Sequence, residues 1–232
     1  LFEQSVKKYA DKPHSTCMGC TLTYAQLDQK SAEFASYIQN HTLLKPGDRI
    51  AIQLPNLLQF SVVAFGALRA GMVLVNTNPL YTAPELSHQF IDSGAKALVV
   101  YAGMAQTAMS IVGKTAIEHV IVTEIADFHP KIKRLLINNL VKHAKKMVPA
   151  YDEHKTTPLL EALSLGGQQP YVPIHGHGDD LVVLQYTGGT TGISKGAMLS
   201  NRNLIANMLQ SLEFFNVELK PAQEVIVAPL PL

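Results

Sequence analysis

No run of apolar residues in this chain approaches the roughly 18–20 that a membrane-spanning helix needs. Nor does it open on a charged segment followed by an apolar one, the pattern that directs secretion. These absences lead to the expectation of a cytoplasmic protein. A charge excess is also missing: 19 Lys+Arg stand against 18 Asp+Glu, a net +1, so nothing marks nucleic acid as the main partner. Cysteine is scarce. Cys17 and Cys20 form a lone C-x-x-C with no second pair and no histidine pair at ligand spacing, which leaves a structural zinc site half its ligands short. A redox pair usually sits at a helix N-terminus that lowers the thiol pKa, whereas Met18-Gly19 reads as the turn of a short hairpin. Two ordinary reduced thiols are expected.

What is present is a globular composition. The 232 residues are 47% hydrophobic and 16% charged with no low-complexity tract, enough for one large domain or two small ones with a real core. The chain begins with Leu1 and stops inside the apolar, proline-punctuated run Val225-Ile226-Val227-Ala228-Pro229-Leu230-Pro231-Leu232. Natural termini are more often polar and frayed, so a fragment is expected.

Periodicity then gives the organisation. A short amphipathic helix over 2–10 and a hairpin lead to a long helix from Thr23, with Leu27, Phe34, Ala35 and Ile38 at helical spacing. The turn Lys45-Pro46-Gly47-Asp48 delivers a strand over 49–54. From there helices over 57–70, after Pro84-Glu85, and over 102–114 alternate with strands over 72–75, 96–101 and 119–123. Gly71 suits a left-handed C-terminal cap, and Pro84 the first turn of a helix. Apolar strands alternating with helices predict an α/β fold, a mostly parallel sheet covered by helices on both faces.

The rhythm breaks over 127–178. Residues 131–148 carry Lys131, Lys133, Arg134, Lys142, Lys145 and Lys146, while Ile132, Leu135, Leu136, Leu140, Ala144 and Met147 recur at three and four. Such a basic amphipathic helix fits either a surface attracted to anionic lipid or a solvated helix lying on its own domain. The second is the commoner arrangement and is the expectation here. Gly166-Gly167-Gln168-Gln169-Pro170 and His175-Gly176-His177-Gly178 read as loop. The two histidines have no evident third ligand, so a metal site is discounted.

One segment carries chemistry. The strand Leu181-Val182-Val183-Leu184-Gln185-Tyr186 runs into Thr187-Gly188-Gly189-Thr190-Thr191-Gly192-Ile193-Ser194-Lys195-Gly196, after which Ala197-Met198-Leu199 is apolar again and Ser200 can cap a helix over 201–212. Three glycines let backbone N–H groups approach anionic oxygens, the threonines add hydroxyl donors, and Lys195 adds a mobile positive charge. That combination suits a polyphosphate. A Walker A loop needs Gly before its Lys and Ser or Thr after it, whereas Ser194 precedes Lys195 and Gly196 follows. The dinucleotide pattern G-x-G-x-x-G does not match either. Composition alone leaves a flexible loop of no special role as the alternative.

The stretch from Tyr186 to Leu199 closely resembles the AMP-binding signature of the acyl-adenylate-forming superfamily, with Ser194 where many members have proline. Leu44-Lys45-Pro46-Gly47-Asp48-Arg49-Ile50-Ala51 resembles that superfamily's turn-and-strand opening, while Pro55-Asn56-Leu57-Leu58-Gln59-Phe60 through Leu68-Arg69-Ala70-Gly71, and Asn76-Thr77-Asn78-Pro79-Leu80-Tyr81, are similar to bacterial long-chain fatty-acid–CoA ligases in particular. Thr187-Gly188-Gly189 and Ser200-Asn201-Arg202-Asn203 point the same way. The resemblance implies that residues 1–232 are the N-terminal portion of a large AMP-binding domain. It implies ATP and CoA as co-substrates, Mg2+ as the metal, and a fatty acid activated first to an acyl-adenylate and then to a thioester. The implied nucleotide-binding residues are Tyr186, Thr187, Gly188, Gly189, Thr190, Thr191, Gly192, Lys195 and Gly196. Catalytic and metal-binding residues would lie beyond Leu232, so the 232 residues alone are expected not to catalyse the reaction. A ligase for a short, aryl or amino acid, and a non-catalytic membrane-surface module working through 131–148, remain the alternatives.

Overall fold

The computed structural model describes residues 1–187, 194–215, 220 and 222–228. A short helix α1 (Phe2–Tyr9) precedes the hairpin of β1 (Pro13–Cys17) and β2 (Cys20–Thr23). Met18 and Gly19 both take positive φ (51° and 72°) at its tip, as a two-residue hairpin turn requires. Cys17 and Cys20 lie opposite one another as free thiols. Their Sγ atoms donate to the carbonyls of Asn56 and Phe128, which fastens the hairpin to the body of the domain.

The long helix α2 (Tyr24–His41) starts at a capping box in which Thr23 and Gln26 satisfy each other's backbone N–H groups. Next come β3 (Arg49–Gln53), α3 (Leu58–Arg69), β4 (Val73–Asn76), α4 (Ala83–Ser93), β5 (Ala95–Tyr101), α5 (Ala102–Val112) and β6 (His119–Thr123). Gly71 takes φ 76° just after α3, and Pro84 sits in the first turn of α4. Over 127–178, where the sequence shows no alternation, the structure still has α6 (Lys131–Asn139), β7 (Thr157–Pro158) and α7 (Leu159–Gly166). A π-helical turn, Leu140–Ala144, extends α6. The chain then gives β8 (Leu181–Thr187), β9 (Lys195–Ser200) and α8 (Asn201–Phe215).

Seven strands form one sheet in the order β7-β6-β5-β3-β4-β8-β9, parallel throughout except where β9 returns antiparallel to β8. Side chains alternate between two cores. Ile50, Ile52, Leu74, Val99, Ile121 and Val183 pack on one face with α2, α3 and α7. Ala51, Val75, Leu98, Val100, Val122 and Tyr186 pack on the other with α4 and α5. Burial on both faces explains why the central strands read as continuous apolar runs. Helices α3 and α7 approach α2 closely, since a methyl group at Gly66 would fall 2.8 Å from the Ser31 carbonyl and one at Gly166 would overlap that of Glu33.

The topology also locates a crevice. From β3 the chain moves one way through α3 to β4, then reverses through α4 to β5 on the far side of β3. Reversal with a constant crossover hand puts α3 and α4 on opposite faces. The loops leaving the carboxyl ends of β3 and β4 therefore part there, and ligands of open α/β sheets bind at such a switch point.

Candidate functional site

Strands β8 and β9 form the frame of the Gly/Thr-rich segment. Thr187 pairs with Lys195 and Tyr186 with Gly196, so the segment leaves the carboxyl end of a parallel strand and returns along its antiparallel neighbour. Gly188, Gly189, Thr190, Thr191 and Gly192 lie outside the described residues. Tyr186, Thr187, Lys195 and Gly196 are described and are brought together at the root of the segment.

Directly opposed residues in an antiparallel ladder share a face. Tyr186 and Gly196 share the one packed on α4, where a methyl group on Gly196 would come within 2.9 Å of the Tyr186 ring. The phenol is pinned at its far end, its hydroxyl donating to Asp92 Oδ2 at 2.5 Å. Burial, with the carboxylate it bonds to, holds this hydroxyl far above the ordinary tyrosine range, so it stays a donor. A second bond joins α4 to the returning end, His88 Nε2 donating to the Ser194 carbonyl at 2.9 Å. Sequence reasoning missed His88 and Asp92. Their spacing of one helical turn, which aims both at one surface of α4, is the signal that could have found them.

Thr187 and Lys195 face the opposite way and are exposed. Among the described residues no carboxylate pairs with Lys195. A hydroxyl donor and an unneutralised ammonium, side by side where a strand ends, fit an anionic ligand such as a phosphate chain. The neighbouring strand ends are lined with amides. Asn76 Nδ2 donates to Gln185 Oε1 at 3.0 Å, Gln89 Nε2 to the Asn76 carbonyl at 2.9 Å, and Gln53 Nε2 to the Pro79 carbonyl at 3.4 Å. Among the described residues, Gln53 Oε1, Asn76 Oδ1 and Gln89 Oε1 find no donor. The crevice at β3, β4 and β8 is therefore polar beneath its rim.

A second concavity, about 430 Å³, lies under α6 at the ends of β6 and β7 and is lined by Glu124, Asp127, Asn138, Lys142, Tyr151 and Glu153 among others. Burial pushes the Glu124 carboxyl up, with repulsion from Asp127 adding to it, and burial likewise raises Asp127. Tyr151 is pushed up to about 12, mainly by burial. No group of three or more His, Cys, Asp or Glu among the described residues is placed to hold a metal ion.

A mostly parallel sheet with helices on both faces, and a Gly/Thr-rich segment framed by two of its strands beside a switch point, define an α/β domain of the open-sheet class. The chain belongs to the AMP-binding enzyme family, which matches residues 2–232. Over all 232 residues it is 46% identical to a long-chain-fatty-acid–CoA ligase of Escherichia coli O157:H7, of which it spans 41%. A ligase of the same description from Bacillus subtilis is 31% identical over 211 residues, 89% of this chain and 37% of the relative. Among solved structures, the apo form of MbtA from Mycobacterium smegmatis has a TM-score of 0.74 at 26% identity, covering 93% of this chain and 36% of that one. A long-chain-fatty-acid-CoA ligase from Archaeoglobus fulgidus has a TM-score of 0.70 at 22% identity, covering 91% of this chain and 38% of that one. The chain thus spans about two fifths of the length of such relatives.

Proposed function

We propose that this chain, within its full natural polypeptide, belongs to an ATP-dependent long-chain fatty-acid–CoA ligase. The observation that carries the reading is identity of 41–46% along the entire chain with several bacterial ligases of that description. The substrates would be a fatty acid, ATP and CoA. A carboxylate oxygen attacks the α-phosphorus of ATP and the bond to pyrophosphate breaks. The CoA sulfur then attacks the acyl carbonyl and AMP departs. Thr187, Thr190, Thr191 and the backbone of Gly188, Gly189 and Gly192 would hold the β- and γ-phosphates. Lys195 would close on them, and Tyr186 and Gly196 would set the strand frame. Positioning and charge stabilisation dominate such displacements. Mg2+ brought with the nucleotide would share the phosphate charge.

The test is acid-dependent ATP–pyrophosphate exchange and acyl-CoA formation by the full natural polypeptide. Palmitate or oleate should support both, and Lys195→Ala should slow exchange at least about tenfold. Turnover restricted to 4-coumarate or another aryl acid would move the assignment to a different acid. Unchanged exchange in both Lys195→Ala and Thr190→Ala would remove the phosphate-binding role.

The reading extends to a cytoplasmic protein in peripheral contact with an anionic membrane through residues 131–148. The basic character of that segment supports it, and among the described residues no helix is long and apolar enough to cross a bilayer.

A further inference from the structure

Helix α6 packs on the domain with its apolar stripe turned outward. The residues it buries are Asn138 and, in the π turn, Val141, with Arg134 and Ile137 half-buried beside them. Ile132, Leu135, Leu136 and Leu140, spaced i, i+3, i+4, i+8, are 78%, 64%, 66% and 51% exposed, while Asn138 is 8% exposed. This corrects the expectation that the apolar positions lie on the protein's own domain. The reason is a polar anchor. Asn138 Oδ1 accepts from Ala126 N at 3.0 Å, and its Nδ2 donates to Glu124 Oε2 at 2.7 Å and to Asp127 Oδ1. Rolling the leucines inward would break all three.

We propose that the outward stripe of α6 inserts into the headgroup layer of an anionic bilayer, with Lys131, Lys133, Lys145 and Lys146 bound to its phosphates. Four contiguous apolar side chains on one exposed face exceed the scattered hydrophobes normal for a surface. All four lysines are exposed and, among the described residues, without a carboxylate partner. Lys142, by contrast, is tied to Glu153 at 2.9 Å and is not available in the same way. Charge complementarity selects the occupant. Helix α8 also exposes an apolar stripe, Leu204, Ile205, Met208, Leu209 and Leu212, but its sequence holds Arg202 as the only basic residue, so an anionic surface has far less to bind there. An apolar stripe edged by lysines on a helix too short to span is the form of an interfacial helix. The proposal deepens the peripheral-membrane part of the functional reading and rests on it, adding which side chains enter the bilayer.

The experiment is sedimentation of the full natural polypeptide with vesicles of phosphatidylcholine alone or with one third phosphatidylglycerol. Binding should need the anionic lipid and fall about fivefold for each of Lys131→Gln, Lys133→Gln and Lys145→Gln. Leu136→Asn should lower the partition coefficient about tenfold or more while leaving the melting temperature unchanged, because the side chain is already exposed. No binding to either vesicle would overturn both the peripheral contact and the insertion. Binding that responds to the lysines but not to Leu136→Asn or Ile132→Asn would overturn insertion and leave an electrostatic contact. Leu136→Asn that lowers the melting temperature, or dissolves a dimer, without affecting vesicle binding would show the stripe covered by protein instead.

Discussion

Replacing Gly196 by alanine sets a methyl group against the Tyr186 ring on β9, opposite the end of β8. The added carbon would stand 2.9 Å from Cε2 and 3.0 Å from Cζ, whereas carbon atoms rest comfortably at about 3.5–4.0 Å. The ring must therefore retreat by roughly 0.5 Å or more. It is not free to do so, because its hydroxyl is held 2.5 Å from Asp92 and its body lies in the core with α4. Overpacking of this kind costs about 1–3 kcal/mol. Alanine recovers about 0.5–1 kcal/mol that glycine forfeits in a strand. The net expectation is destabilisation by about 1–2 kcal/mol, a fall of roughly 2–8 °C in melting temperature for a domain of this size. If Thr187 and Lys195 hold phosphate as proposed, ATP–pyrophosphate exchange should suffer more than stability, since the displaced pair adjoins them.

The decisive comparison is a double-mutant cycle with Tyr186→Leu, read by thermal melting and by ATP–pyrophosphate exchange. With the ring gone, Gly196→Ala should be neutral or mildly stabilising. An equal cost in both backgrounds, or a higher melting temperature for Gly196→Ala alone, would refute the steric argument.

Three further outcomes are expected. Arg69 donates to the Asp28 carbonyl and Ser31 Oγ, pairs with the Asp28 carboxylate and lies under the rings of Phe2 and Tyr171, so Arg69→Lys should cost about 2 kcal/mol by chemical denaturation. Glu124 and Asp127 have raised folded-state pKa values, so they bind more protons folded than unfolded, and their contribution to stability falls as pH climbs from about 4 through those values. Glu124→Gln should accordingly gain melting temperature relative to the unmodified protein as pH rises from about 4 to 7, a trend absent if Glu124 is unstrained. His88→Ala removes the donor to the Ser194 carbonyl, and should raise the KM for ATP several-fold while costing only about 1 kcal/mol of stability.

The parallel sheet was legible because its strands are buried on both faces and announce themselves as apolar runs between helical periods. His119–Thr123 was placed to the residue. The framing of the Gly/Thr-rich segment by two strands was legible for a related reason, glycines and threonines between an apolar run and a second short one. Strand β7 and helix α7 were not. The strand has two residues, one of them Pro158 at the sheet edge where a missing donor is tolerated. The helix, LLEALSLG, closes on a glycine that reads as loop until α2 is seen pressing on it. His88 and Asp92 were hidden because their partners lie more than ninety residues away in sequence, at 106 and 94 positions' separation.

Helix α6 shows where periodicity carries less than it promises. Spacing of apolar residues locates a stripe on a helix but says nothing of which way the stripe points; the usual inference, inward, rests on apolar burial outweighing everything else. Here the opposing term is visible. Turning the leucines in would expose Asn138 but leave Glu124, Asp127 and the Ala126 N–H without it, in a site where burial already raises both carboxyl groups. Each polar group left unpartnered there costs about 1–3 kcal/mol, comparable with what one buried leucine contributes. Four leucine-type side chains could still win that contest in water. They lose less by staying out if the outside is itself apolar, which is why the orientation of α6 and a bilayer partner are one argument: the polar anchor fixes the roll of the helix, and a membrane would turn its outward stripe from a liability into a binding surface.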